Sequence, residues 1–109
     1  MTHRTRPKCP AGLSVEAAGF WKSIVAEYAI TDAGGLRLLQ TACESMDMMR
    51  QAEAGVLKDG LTIPDRSGGI KPHPLLATVR DSRQAMLTAL RHMHLDLEPL
   101  RSIGHPPGA

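Results

Sequence analysis

Apolar and polar positions follow a helical beat over most of this chain. Ala17, Trp21, Ile24, Val25 and Tyr28 recur at i, i+4, i+7, i+8 and i+11, which puts them on one face of a helix over 15–28. Ser14 stands where an N-cap belongs, and Glu16 lies near the positive helix end. Thr31 or Asp32 caps a second helix, whose first turn is weakened by Gly34 and Gly35. From Leu36 two stripes run side by side: Leu36, Leu39, Cys43 and Met46 form one, and Leu38, Ala42, Met49, Ala52 and Val56 the other. Together they make a broad apolar face on a helix of about 27 residues, roughly 40 Å long. The short first helix cannot cover that length, so the spare face must meet a third helix, another subunit, or both. Leu76, Val79, Met86, Leu87, Leu90 and Met93 line one side of a third helix predicted over 74–94.

The beat breaks between 59 and 76. Gly60 is placed to end the second helix as a left-handed residue. Leu61, Thr62 and Ile63 are strand formers, and Ile70 and Lys71 can pair back against them across the turn residues 65–69. Pro64 has no N–H, so its strand must be an edge. Pro72 and Pro74 restrict the backbone, and Pro74 suits the first turn of the next helix. An isolated hairpin is marginal in water and must lean on its helices or on a neighbouring chain. The predicted fold is mainly α: a long antiparallel helical hairpin, with a short first helix and a small β-hairpin between the two long helices. Residues 14–103 form this helical-hairpin oligomerisation domain, including a short last helix predicted over 96–103. Residues 1–13 are expected to be a disordered or loosely docked arm, and 104–109 a flexible tail.

At 109 residues the chain forms one domain with a modest core. Its only aromatics are Phe20, Trp21 and Tyr28, and with one basic residue among them, Lys22, they suit core anchors better than a base-stacking platform. Met46, Met48 and Met49 offer adaptable packing in a core or at an interface. Cys9 and Cys43 lack partners at metal-ligand spacing and read as reduced thiols of a cytosolic protein. No apolar run reaches transmembrane length and no signal-peptide core follows the basic N-terminus, so a soluble intracellular protein is expected. The net charge of +2 is uneven, because residues 1–13 carry Arg4, Arg6 and Lys8 and no acid, whereas the remainder sums to −1. Such an arm contacts nucleic acid or serves as a solvated tail.

Little in the chain supports catalysis. His92 and His94 are two apart on a helix and do not share a face, and no cysteine or carboxylate cluster completes a metal site with the other histidines. Ser67, Gly68 and Gly69 make a tight turn and lack the Walker phosphate-loop pattern. Glu44 and Asp47 read as a solvated helix face. The expectation is a non-enzyme without cofactors.

The order of features resembles the small terminase subunits of tailed bacteriophages, in the group built on a long helical hairpin. The resemblance rests on Gly12, Leu13 and Ser14 leading into a helix centred on Trp21, on Ala29 to Asp32 at the next helix start, and on Cys43 and Glu44 within it. Its most specific piece is Gly60, Leu61 and Thr62 followed by Gly68, Gly69, Ile70, Lys71, Pro72, His73 and Pro74; Leu95, Asp96, Leu97, Glu98 and Pro99 resemble the family's ending. The likeness covers about residues 12–103.

The resemblance implies a non-catalytic subunit that assembles as a homo-oligomeric ring, engages double-stranded viral DNA and delivers it to the large ATPase/nuclease subunit. Many small terminases carry a helix-turn-helix reader before this region, and thirteen residues leave no room for one here. Non-specific phosphate contact through Arg4, Arg6 and Lys8, aided by Lys71, Arg80 and Arg83, is therefore expected. A gene transfer agent, a phage-derived particle that packages host DNA with little sequence choice, suits such a subunit. The competing expectation is a helical protein-binding adaptor or antitoxin-like regulator with no nucleic-acid role.

Overall fold

The computed structural model describes residues 6–95. Its elements are α1 (Val15–Tyr28), α2 (Ala33–Asp59), β1 (Thr62–Pro64), β2 (Ile70–Pro72) and α3 (Leu75–His92). The mainly α architecture is the one the periodicity predicts, with a short first helix, two long ones and a β-hairpin between them. The predicted last helix over 96–103 lies outside the described residues.

Local chemistry sets the helix ends. The Ser14 hydroxyl accepts from Ala17 N at 3.0 Å, and Asp32, rather than Thr31, accepts from Gly35 N at 2.7 Å. Ala29 ends α1 in the left-handed region (φ 51°, ψ 46°), and Ile30 N–H reaches back to the Val25 carbonyl at 3.3 Å. This is a Schellman-type closure that drops the apolar Ile30 into the core. Gly60 differs from expectation. Its φ is positive at 91°, but its ψ of 171° is extended, so the chain leaves α2 straight into β1. Pro74 has no capping side chain, and His73 takes over: its Nδ1 accepts from Leu75 N at 3.0 Å, while Nε2 meets Asp59 Oδ2 at 2.9 Å. The buried imidazole thus ties the end of α2 to the start of α3.

Small residues line the seam between α2 and α3. Ala42 and Ala52 of α2 and Ser82 and Ala89 of α3 are buried. Gly55 lets Leu75 approach so closely that a Cβ there would lie 2.5 Å from Leu75 Cδ1. The spare face of α2 therefore meets the third helix. On one side of this pair, α1 lies over the end formed by the start of α2 and the finish of α3. Ala17, Trp21, Ile24, Ile30, Leu39, Cys43 and Met46 form the core there, with Met86, Leu90 and Met93 packed against it. Trp21 is 3% exposed, and its indole N–H has no hydrogen-bond partner among the described residues. The Cys43 thiol is wholly buried, and desolvation, followed by the nearby Cys9, pushes its pKa up to about 12.

α1 spans about half of α2, 14 residues against 27. Beyond it the same groove continues uncovered, lined by Glu53, Val56, Leu57, Leu61, Leu76 and Val79. Leu57 is 87% and Leu61 67% exposed. Leu87, assigned by the pattern to the packed side of α3, is also exposed, because the buried line runs through Ser82 and Ala89 instead.

At the tip, Thr62 pairs with Pro72, Ile63 with Lys71 and Pro64 with Ile70. The flanking bonds, His73 N to Leu61 O and Asp65 N to Gly69 O, set the alternation. Thr62, Pro64, Ile70 and Pro72 accordingly turn their main-chain groups outward, and both prolines stand where no donor is needed. Ile63 is half-buried and His73 buried on the inner side, whereas Ile70 stands 73% exposed outside.

Two outcomes follow from this packing. Ala29→Gly removes the left-handed strain and should raise unfolding stability by about 1 kcal/mol, read as a higher urea midpoint at unchanged slope. In native protein at pH 8 a disulfide-exchange reagent should modify Cys9 and leave Cys43 unreacted until denaturant is added; equal labelling rates would contradict the packing.

Candidate nucleic-acid interface

The expected phosphate contacts do not form one patch. Arg4 lies outside the described residues. Arg6 and Lys8 are exposed on the lead-in, which Cys9 and Leu13 hold against the core. Arg6 lines a recess of about 590 Å³ beside α1, together with Trp21, Lys22, Val25 and the α1–α2 connection at Ala29 and Ile30. Lys71 is exposed on β2 at the opposite end of the helical hairpin. The length of α2, about 40 Å, separates them.

Arg80 and Arg83 of α3 are already engaged. Arg80 Nε meets Asp81 Oδ1 at 3.2 Å, and Arg83 Nη2 meets Glu53 Oε2 at 3.5 Å. Exposed pairs of this kind are worth at most about 1 kcal/mol, so a phosphate can displace them, but only against a standing neighbour. Arg83 also ends a relay across all three helices. Glu16 of α1 is held in a two-pronged pair by Arg50 of α2, through Nε at 3.1 Å and Nη2 at 3.0 Å. Arg50 Nη1 reaches Glu53 at 2.9 Å, and Glu53 reaches Arg83. The hydrogen bonds that Arg50 donates to Glu16, then to Glu53, raise its pKa further above the ordinary value. Next to it Asp47 is not the solvated carboxylate that its helix position suggests. It accepts from Ser14 N at 2.9 Å and from the Ser14 hydroxyl, pinning the start of α1 to α2. Glu16 and Asp47 therefore serve assembly of the fold.

The hairpin turn is built on one carboxylate. Asp65 Oδ1 accepts from Ser67 N, the Ser67 hydroxyl and Gly69 N, each at 2.9 Å. The hydroxyl bond, then the Gly69 amide, holds its carboxyl below the usual range. Arg66 is exposed within this fixed turn. Sequence reasoning passed over Arg66, although a basic residue inside an Asp-x-Ser-Gly-Gly turn is a readable signal. It also passed over Lys22 and Arg37.

No group of three or more metal-ligating side chains occurs among the described residues. His73 is spent on Asp59 and the α3 amide, a structural role. No helix is long and apolar enough to cross a membrane among the described residues.

A family model described as phage terminase, small subunit, matches residues 17–101. The chain belongs to that family. The match takes in most of α1, all of α2 and α3, and the β-hairpin, and begins after Arg6 and Lys8. No curated protein and no solved structure matches. This phage terminase small subunit is thus a helical pair with one helix laid over half of its groove, and its paired arginines Arg50, Arg80 and Arg83 lie between the two ends.

The turn yields a pH outcome. Because the folded pKa of Asp65 is lowered, its contribution is complete above the ordinary carboxylate range and is lost as pH falls through the folded value. Amide exchange at Ser67 and Gly69 should be protected at pH 6 and accelerate, relative to the intrinsic rate, toward pH 2. Asp65→Asn should flatten that dependence.

Proposed function

We propose that this chain is the non-catalytic small subunit of a DNA-packaging terminase. It assembles into a ring of identical copies, engages double-stranded DNA with little sequence choice, and recruits or regulates the large ATPase/nuclease subunit in the cytoplasm of a bacterial host. Family membership supports the packaging role. The observation that carries the assembly is the uncovered half of the α2–α3 groove, where Leu57 and Leu61 stand exposed beside Val56, Leu76 and Val79. A contiguous apolar surface rimmed by charge is what an interaction site presents. A neighbouring copy that lays an apolar face into this half continues the packing that α1 makes in the other half.

Weak sequence choice follows from how the helices are used. The apolar faces of α1, α2 and α3 are packed against one another, and the exposed cations are dispersed over the molecule rather than gathered on one helix that could enter a groove, which suits phosphate contacts that carry no sequence information. A gene transfer agent, which packages host DNA without strong sequence preference, is the setting that suits such a subunit.

Native mass spectrometry at several concentrations, with and without DNA and the large subunit, should give a closed assembly of many copies. Monomers or dimers under every condition would overturn the ring. Leu57→Glu should abolish the assembly while leaving the far-ultraviolet circular dichroism unchanged. Affinity capture from producing cells should recover the large terminase ATPase, and its consistent absence would defeat the recruiting role.

A further inference from the structure

We infer that the duplex phosphate contact is made at the corner where α1 turns into α2, through Arg6, Lys22 and Arg37. This rests on the DNA-engaging role proposed above and gives it an address different from α3 and the hairpin. Two recesses meet at Ile30. One holds Arg6 and Lys22 with the apolar wall of α1. The other holds Arg37 of α2 and His92 of α3.

Three observations favour this corner. The first is availability: none of Arg6, Lys22 and Arg37 has a carboxylate partner among the described residues, whereas Arg50, Arg80 and Arg83 all do. The second is balance. Arg6, Lys8, Lys22, Arg37 and Arg91 stand around the corner against Glu27 and Asp32, and the Asp32 carboxylate is committed to capping α2. The hairpin end has Lys58, Arg66 and Lys71 against Asp59 and Asp65, a smaller excess. The third is rigidity. Lys22 and Arg37 project from helices, and Arg6 from a lead-in whose Cys9 packs on the core, so little order has to be gained on binding. Spaced cations at the rims of two adjoining recesses suit the backbone of a duplex, where counterion release drives sequence-independent affinity.

The test is titration of a labelled 30-base-pair duplex of arbitrary sequence with the full chain, over a range of salt concentrations. Three proteins are compared: the unaltered chain, the corner variant Arg6→Ala/Lys22→Ala/Arg37→Ala, and the control Lys71→Ala/Arg80→Ala/Arg83→Ala. The corner variant should bind at least about tenfold more weakly at 0.1 M salt, and its log affinity should fall with log salt less steeply by about two to three. The control should keep most of the affinity and slope, and Arg6→Lys/Arg37→Lys should bind as the unaltered chain does. All substituted residues are exposed, and matching thermal melts confirm that the variants fold. A corner variant that binds like the unaltered chain overturns the corner while the DNA role stands. An unaltered chain that binds no duplex at any salt overturns the DNA role, and the corner falls with it.

Discussion

The close approach of α2 and α3 is the constraint on which the rest depends. Ala42, Ala52 and Gly55 on one helix and Ser82 and Ala89 on the other let two long backbones come together, with Met49 the large side chain buried on the same stripe of α2. Other large residues are thereby displaced to the flanks of the seam, where Leu39, Cys43 and Met46 face Met86 and Leu90 across a groove. That groove is what α1 fills with Ala17, Trp21 and Ile24. Had the seam been filled with leucines, the helices would stand further apart and the groove would have no floor.

Charge has the complementary task of fixing position along the groove. An apolar stripe holds a helix against a groove but resists sliding only weakly. Ser14 on Asp47 and Glu16 on Arg50 give α1 a register, and Glu53 passes the restraint on to Arg83. These pairs are exposed and individually weak. Their value lies in geometry, since both anchors sit at the start of α1 and leave the groove beyond it open. The same network draws arginines away from any anion outside. Accordingly, the middle of the molecule is electrostatically quiet and its free cations gather at the ends.

Much of this was legible in the chain. Periods of 3.6 and a single break placed every element, because caps such as Ser14 and Asp32 and breakers such as Gly60 and Pro74 act locally. What failed to show was long-range pairing. Nothing near Asp47 in the sequence announces Ser14, and nothing near Arg83 announces Glu53. A list of basic residues is therefore a poor list of available ones, and Arg80 and Arg83 looked freer than they are. Arg37 and Lys22 were passed over for the opposite reason. Each is more than ten residues from the next lysine or arginine in the sequence, and the two come near one another only where α1 turns into α2. Leu87 shows a related limit, because the burial of its neighbours Ser82 and Ala89 is set by the seam rather than by hydrophobicity.

The outward-facing prolines of the hairpin have a consequence for how the tip meets other chains. A short sheet with two open edges invites a neighbour's strand to add on, and repeated addition leads to fibres. Pro64 and Pro72 each remove the main-chain donor at an edge position, one on either strand, and so interrupt the ladder that an incoming strand needs. The tip can then present apolar Ile70 to solvent without offering a continuous edge for amyloid-like growth. Replacing both prolines by residues that carry an N–H would remove this safeguard without touching a single buried contact.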